Sequence, residues 1–416
     1  MTNVTKVTKV TRATRATSAT SVTSVVTRAC GVALGLVVAV AFLLRSGHRA
    51  AERPAVHAPP AALSGVAVAD DAGPLREVLM HYVPELEASF RPAYRDFLLS
   101  LAPETRVMLV VRRQDRARLD AFLGGLDGSG ELARRVRVVE IGRPLGIWSK
   151  DRALVLGGAA GGKIELVVPP RTRPGEGSRP SDWDIVPAVA AALPDELEVR
   201  QLPIAFDAGD FAITKTRVLF DANLFARNRA RGFRSAEELR GTVKTLLGRD
   251  VLMLGSEPGD VPRHHMSMYM ALLDGGVALV GDPEAGARLV GRDYSPGESS
   301  PETNEPLHAD FSPATKARFE RAASDLAAAG LRVVRIPTVP FDDKTYFAYT
   351  NGVYETRAGR RVAWMPSFGE PAIDHAARDV YERLGWSVVP VDVRGLYAHH
   401  GTIGCVVNVL SRGAGE

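Results

Sequence analysis

Cys405 stands almost alone in this chain, because the only other cysteine is Cys30, inside an apolar N-terminal stretch. Two cysteines so placed exclude a disulfide framework and any zinc site that needs two thiolates from the body. A lone body cysteine is either a small buried hydrophobe or a nucleophile, and the polar residues elsewhere decide between the two. Four further stretches carry reactive side-chain types. They are Trp148 to Asp151, Phe206 to Asp210, His264 to Tyr269 and Tyr349 to Asn351, and His400 to Cys405 makes the fifth. A thiolate attacks an electrophilic carbon, an imidazole hands the proton to a leaving amine, and carboxylates grip a planar cation. A guanidinium is the natural cation, since its fixed fork of N–H donors matches carboxylates in pairs. Each charge-assisted hydrogen bond of that kind contributes ~1.5–3 kcal/mol.

Within these stretches some residues compete for one role. If the segment is extended, His264 and His265 point to opposite faces, and the spacing to Tyr269 selects His265 for the cleft. Asp207 directly follows a strand and is preferred over Asp210, although either carboxylate can serve a turn beside Gly209. Trp148 and Phe206 are candidates to stack on a substrate, with core burial as the alternative. Asp210 and Asn351 are candidate substrate contacts, and His400 is a candidate second proton carrier. The pairs His264/His265 and His399/His400 lack a third ligand at a useful spacing, and neither H-E-x-x-H nor C-x-x-C occurs, so no metal is expected. A phosphate loop, a dinucleotide fingerprint and a G-x-S-x-G elbow are also missing, so no organic cofactor is expected.

The elements that must position these residues repeat. Short β-branched strands are expected near Val136, Glu198, Asp250, Leu331 and Trp386, each followed by one reactive stretch and then by a second apolar run. Residues 312–340 show the pattern best. Ser312 is an N-cap, Pro313 takes the first helical position, Phe319, Ala323, Leu326 and Ala327 form one stripe, and Gly330 stops the helix before a strand. Residues 370–391 repeat it, with Pro371 at the start, Ile373, Ala377, Val380, Tyr381 and Leu384 inward, and Gly385 as the stop. Five such α/β units cannot each bury an apolar face alone, and stacking or radial arrangement about an axis solves that. In a radial arrangement the five stretches converge at one end of the axis. Residues 291–312 are long and polar and read as a mobile insertion or lid.

The charge is unevenly spread. Residues 1–53 hold eight Lys and Arg against Glu52 alone, while the remainder holds 44 basic and 47 acidic side chains. A basic body built to neutralise nucleic-acid phosphates is thereby excluded. Residues 1–28 are a low-complexity basic arm, and 29–45 an apolar segment whose uncharged core of 16 residues reaches ~24 Å as a helix, short of the ~30 Å hydrocarbon slab. They read as an export signal or signal anchor, which places the body outside the cytoplasm and limits membrane contact to this segment. Residues 46–73 read as a linker, and 74–416 as the catalytic body.

The order W-x-[K/R]-D, F-[D/E]-x-G, H-x-x-M-Y, Y-x-N and G-x-x-x-C, running from about residue 106 to Arg412, resembles the guanidine-modifying (pentein) superfamily. This group includes agmatine deiminase, bacterial peptidylarginine deiminase, arginine deiminase, dimethylarginine hydrolase and the amidinotransferases. The resemblance implies a five-bladed α/β propeller with Cys405 as nucleophile, His265 as general acid and base, and Asp151 and Asp207 as guanidinium clamps. The implied reaction converts a guanidino group of a small molecule or peptide to a ureido group plus ammonia. Its rivals are amidino transfer on the same scaffold and a non-catalytic binding protein. The chain departs from the deiminase pattern at Ser267, where an Asp is usual, at Asp207 for Glu, at Lys150 for Arg and at Ala208 for Gly.

Overall fold

The computed structural model describes residues 63–413, apart from 64, 72, 158–161, 172–179 and 302. The basic arm 1–28, the apolar segment 29–45 and most of the expected linker lie outside the described residues. Among the described residues no helix is long and apolar enough to cross a membrane. Val66–Ala67, at the end of the expected linker, instead pairs with Leu156 and Gly157, so the folded body begins before residue 74.

The fold is α/β, and one strand pattern recurs in five of its sheets. Leu154–Gly157 runs antiparallel to Ile164–Val168, which is parallel to Leu197–Gln201. The same order recurs in Ala212–Ile213, Arg217–Asp221 and Asp250–Leu254. It recurs again in Met270–Leu273, Val277–Asp282 and Arg332–Pro337, and in Val353–Arg357, Arg360–Ser367 and Ser387–Asp392. The fifth sheet draws on both ends of the described chain. Asn408–Arg412 runs antiparallel to Leu75–Tyr82, with Arg106–Arg112 and Val136–Ile141 parallel beyond it. A parallel pair needs a crossover, and helices such as Glu87–Ser100, Ile185–Ala192, Ala236–Leu247, Pro313–Ala328 and Pro371–Arg383 supply them. None of the described sheets closes on itself.

All five expected strands are present, but the unit boundary is displaced. Each of these strands is the last in its sheet, and the apolar run after it belongs to the next of the five sheets or, in the last case, returns to the first strands of the chain. Hydrophobic pattern marks strands without naming their neighbours, which is why the phase was misread. The helix signals hold. Ser312 Oγ accepts from the Thr315 amide, Pro313 opens the helix, and Gly330 and Gly385 take positive φ at the two stops. Ala327 is exposed, and Ala322 takes its place in the buried stripe.

The stretch 291–312 is not a loose lid. Leu307 and Phe311 are buried in the largest apolar cluster, the Ala309 amide donates to the Tyr294 carbonyl at 2.9 Å, and the Asp310 amide donates to that of Pro340 at 2.7 Å.

Leu410, fully buried in the strand that returns to the first sheet, tests that closure. Leu410→Ala should cost ~2–5 kcal/mol in equilibrium denaturant unfolding. A midpoint equal to that of the unsubstituted chain would mean that this strand does not hold the fold together.

Candidate active site

Each of the five reactive stretches lies between the last strand of one sheet and the first strand of the next. They therefore sit at the carboxyl ends of the parallel strands, where α/β sheets bind ligands. Their backbones interlock in a ring. The Ala208 amide donates to the Asp151 carbonyl at 2.7 Å, joining the first stretch to the second. Gly209 lies so close to the ring of His265 that a Cβ would overlap it, which joins the second to the third. Thr350 Oγ1 donates to the Ser267 carbonyl at 2.8 Å, and the Gly404 amide donates to the Asn351 carbonyl at 3.1 Å. The Lys150 amide donates to the Cys405 carbonyl at 3.2 Å and closes the circle.

Inside this ring the chain places Cys405, His265 and Asp151, all buried, with one donor atom of each within 4.8 Å of the others. Cys405 is carried on the short helical turn Ile403–Val406, not on the strand that its sequence context suggests. Asn351 Nδ2 donates to Cys405 Sγ at 3.0 Å and lies 3.0 Å from Met268 Sδ, so Asn351 backs the sulfur. His265 Nδ1 is 4.0 Å from Asp151 Oδ1, and Nε2 is 4.0 Å from Asp207 Oδ2. Burial opposes a charge on His265, but the hydrogen bond with Cys405 and the charges of Asp151, Cys405 and Asp210 outweigh it and push its pKa up to about 10. An imidazolium beside a sulfur is the pairing that cysteine nucleophiles use.

The neighbouring histidine behaves in the opposite way. Burial, and then the positive charge of His265, hold His264 well below the ordinary histidine range. The two residues do not point to opposite faces. His264 takes a left-handed φ of 74°, its ring lies 4.3 Å from that of His265, and its Nε2 donates to the His400 carbonyl at 2.8 Å. His400 is itself left-handed, at φ 72°, and its Nδ1 pairs with Thr345 Oγ1 at 2.9 Å, so it anchors His264. Strained non-glycine backbone of this kind collects at functional sites.

Among the expected substrate contacts, Trp148 is half-buried against Gly401, where a Cβ would meet its ring, and shares an apolar cluster with Cys405. Phe206 is core: it is buried and meets Phe211 edge-on at 5.6 Å. Asp210 supports the loop, accepting from the Asp207 amide at 2.7 Å and pairing with Arg227. Burial raises its pKa, with Arg227 opposing. Ser267 and Lys150 line a different cavity, in which Lys150 Nζ pairs with Asp70 Oδ1 at 3.0 Å.

Sequence reasoning missed the cations around Asp207. Arg152 Nη1 donates to Asp207 Oδ1 at 2.8 Å, and Arg227 Nη1 is 3.5 Å from Oδ2. Arg152 in turn lies over the Trp183 ring, 4.7 Å from its centroid. A charged residue directly after Asp151, opening an otherwise apolar run, was the available signal.

Asp151, His265 and Cys405 also form the one group among the described residues whose donors lie close enough to hold a metal ion. A metal needs a neutral imidazole, so an ion here would have to displace the proton that Asp151 and Cys405 hold on His265.

The raised His265 pKa has a thermodynamic consequence. The folded state binds this proton more tightly than the unfolded chain, so the stability it contributes is complete below about 6.5 and is lost as the pH rises through about 10. The difference in melting temperature between the native chain and His265→Gln should therefore be largest near pH 6 and shrink toward pH 10. A difference that does not change with pH would refute the cationic assignment.

No protein-family model matches this sequence, and no curated protein matches it. Solved structures do. A serine-for-cysteine variant of agmatine deiminase from C. jejuni with substrate bound superposes with a TM-score of 0.58 at 12% identity, covering 82% of this chain and 95% of that one. Agmatine deiminase of Enterococcus faecalis superposes with a TM-score of 0.58 at 14% identity, covering 84% and 98%. At such identities the likeness establishes a fold shared with these agmatine deiminases.

Proposed function

We propose that this chain, which has the fold of the guanidine-modifying enzymes, is a hydrolase of the guanidino group whose five repeated sheets form a five-bladed α/β propeller. The observation that carries the reading is the buried meeting of Cys405, His265 and Asp151 with Asp207 at its edge, assembled from loops of different sheets. The ring of loop contacts supports the radial arrangement.

In this mechanism Asp151 and Asp207 orient a guanidinium over Cys405 Sγ. The sulfur bonds to the central carbon, and the C–N bond breaks as His265 delivers its proton to the departing ammonia. A covalent thiouronium remains. Water, losing a proton to the now neutral His265, adds to the same carbon; the C–S bond breaks, the hydroxyl proton passes to the released ammonia or to solvent, and a ureido product and the thiolate remain. The positive His265 suits its first task, since the leaving nitrogen needs a proton. Asn351, donating to the sulfur, suits a group that must carry negative charge between steps. The residues need no metal or organic cofactor for any of these steps, and the partner is a small or peptide-linked guanidine. The reading of residues 1–45 as an export or anchor segment places the reaction outside the cytoplasm. Full-length protein found soluble in the cytoplasm with those residues intact would overturn that placement.

Incubation with agmatine, arginine, dimethylarginine and an arginine-containing peptide, with colorimetric detection of the ureido group, tests the reading. At least one should be converted, and Cys405→Ala should lower the rate by ~10³-fold or more. His265→Gln should lower kcat by ~10²–10⁴-fold. Turnover that needs an added amine, with the amidino group kept in the product, would identify a transferase. Tight binding without any turnover would identify a binding protein.

A further inference from the structure

The carboxylate assigned to grip a substrate guanidinium already holds one that belongs to the protein. Arg152 Nη1 sits 2.8 Å from Asp207 Oδ1, and both side chains are largely withdrawn from solvent, at 16% and 23% exposed. Asp207 Oδ2 faces His265 Nε2 at 4.0 Å. Arg152 thus occupies one of the two oxygens that a two-pronged guanidinium contact with Asp207 would need.

Three features show that this contact is more than a surface ion pair. The Arg152 guanidinium lies over the Trp183 ring, its Cζ 4.7 Å from the centroid, a cation–π contact. Its Nε is buried without a hydrogen-bond partner, so the fork is not used in the two-pronged manner that makes arginine–carboxylate pairs strong. Asp207 also keeps a second cation, Arg227, at 3.5 Å, so the carboxylate stays compensated when Arg152 leaves it.

We propose that Arg152 restrains the site's preference for unsubstituted guanidines by competing with the incoming guanidinium for Asp207. A substrate guanidinium gains both Asp207 oxygens only after Arg152 has swung away, and otherwise binds through Asp151 and one oxygen. Guanidines able to offer two parallel N–H bonds to Asp207 displace the single-pronged Arg152, whereas those substituted at these nitrogens do not. The inference rests on the guanidine-hydrolase reading, and its test is independent of turnover.

The full chain carrying Cys405→Ala, which cannot turn over, is titrated calorimetrically with agmatine, arginine and dimethylarginine, alone and with Arg152→Gln. Removing the competitor should tighten binding of the two unsubstituted guanidines about tenfold and that of dimethylarginine by less. Arg152→Lys, which keeps the charge but loses the fork, should fall between. Thermal melts establish that each variant is folded. If Arg152→Gln melts below the assay temperature, the comparison rests on Arg152→Lys, which should still bind more tightly than the Cys405→Ala parent. Equal or weaker binding in the Arg152 variants overturns the proposal and makes Arg152 a support for Asp207. Absence of binding by any variant overturns it together with the function it rests on. Tighter binding with no turnover by the cysteine-intact chain sustains the role of Arg152 and overturns only the hydrolase reading.

Discussion

Five loops from five sheets hold one another through three backbone hydrogen bonds and two side-chain contacts, and the site is assembled where that ring closes. A buried loop has amide and carbonyl groups that water cannot reach, and each must find a partner. Many are met within the same loop, and three cross to the neighbouring one: Ala208 to Asp151, Gly404 to Asn351, Lys150 to Cys405. Hydrogen bonds that would be costly to lose are also what fixes the separation of a sulfur, an imidazole and two carboxylates that lie far apart in sequence. Gly209 shows how tight this is, since it has no room for one further carbon against His265.

The same enclosure sets the electrostatics. Buried charges are tolerated only in compensated groups, and the site divides its histidines accordingly. His265, between Asp151 and Cys405, takes the positive charge, and His264 beside it is forced neutral. Asp207 and Asp210 are balanced by Arg152 and Arg227. Acids and bases therefore interlace, and the charges of the site are already nearly matched.

Much of this was legible in the sequence, because the signals were local. The five strands, the Ser312 and Pro313 helix start, the stops at Gly330 and Gly385, and the reactive stretches could be read from spacing alone. The failures concern partners distant along the chain. The unit phase was misplaced because apolar alternation does not say which strand lies alongside. Phe206 looks the same in the sequence whether it meets a substrate or Phe211. The apolar run after Cys405 reads as strand from its first residue, but the helical turn is imposed by contacts with Asn351. Asp207 was visible and Arg152 was not, since 55 residues separate the two ends of that contact. Residues 291–312 look solvated by composition, yet two apolar anchors, Leu307 and Phe311, fasten them down.

The return of Asn408–Arg412 to the strand Leu75–Tyr82 has a consequence for timing. A chain made from its N-terminus completes four of the five sheets before this final strand emerges, and Cys405 lies just ahead of it. Until then Asp151, Asp207 and His265 surround no sulfur, and the thiol has no imidazolium beside it. The site is therefore completed in a single late event, when the strand docks, and a molecule clipped ahead of residue 405 lacks its sulfur.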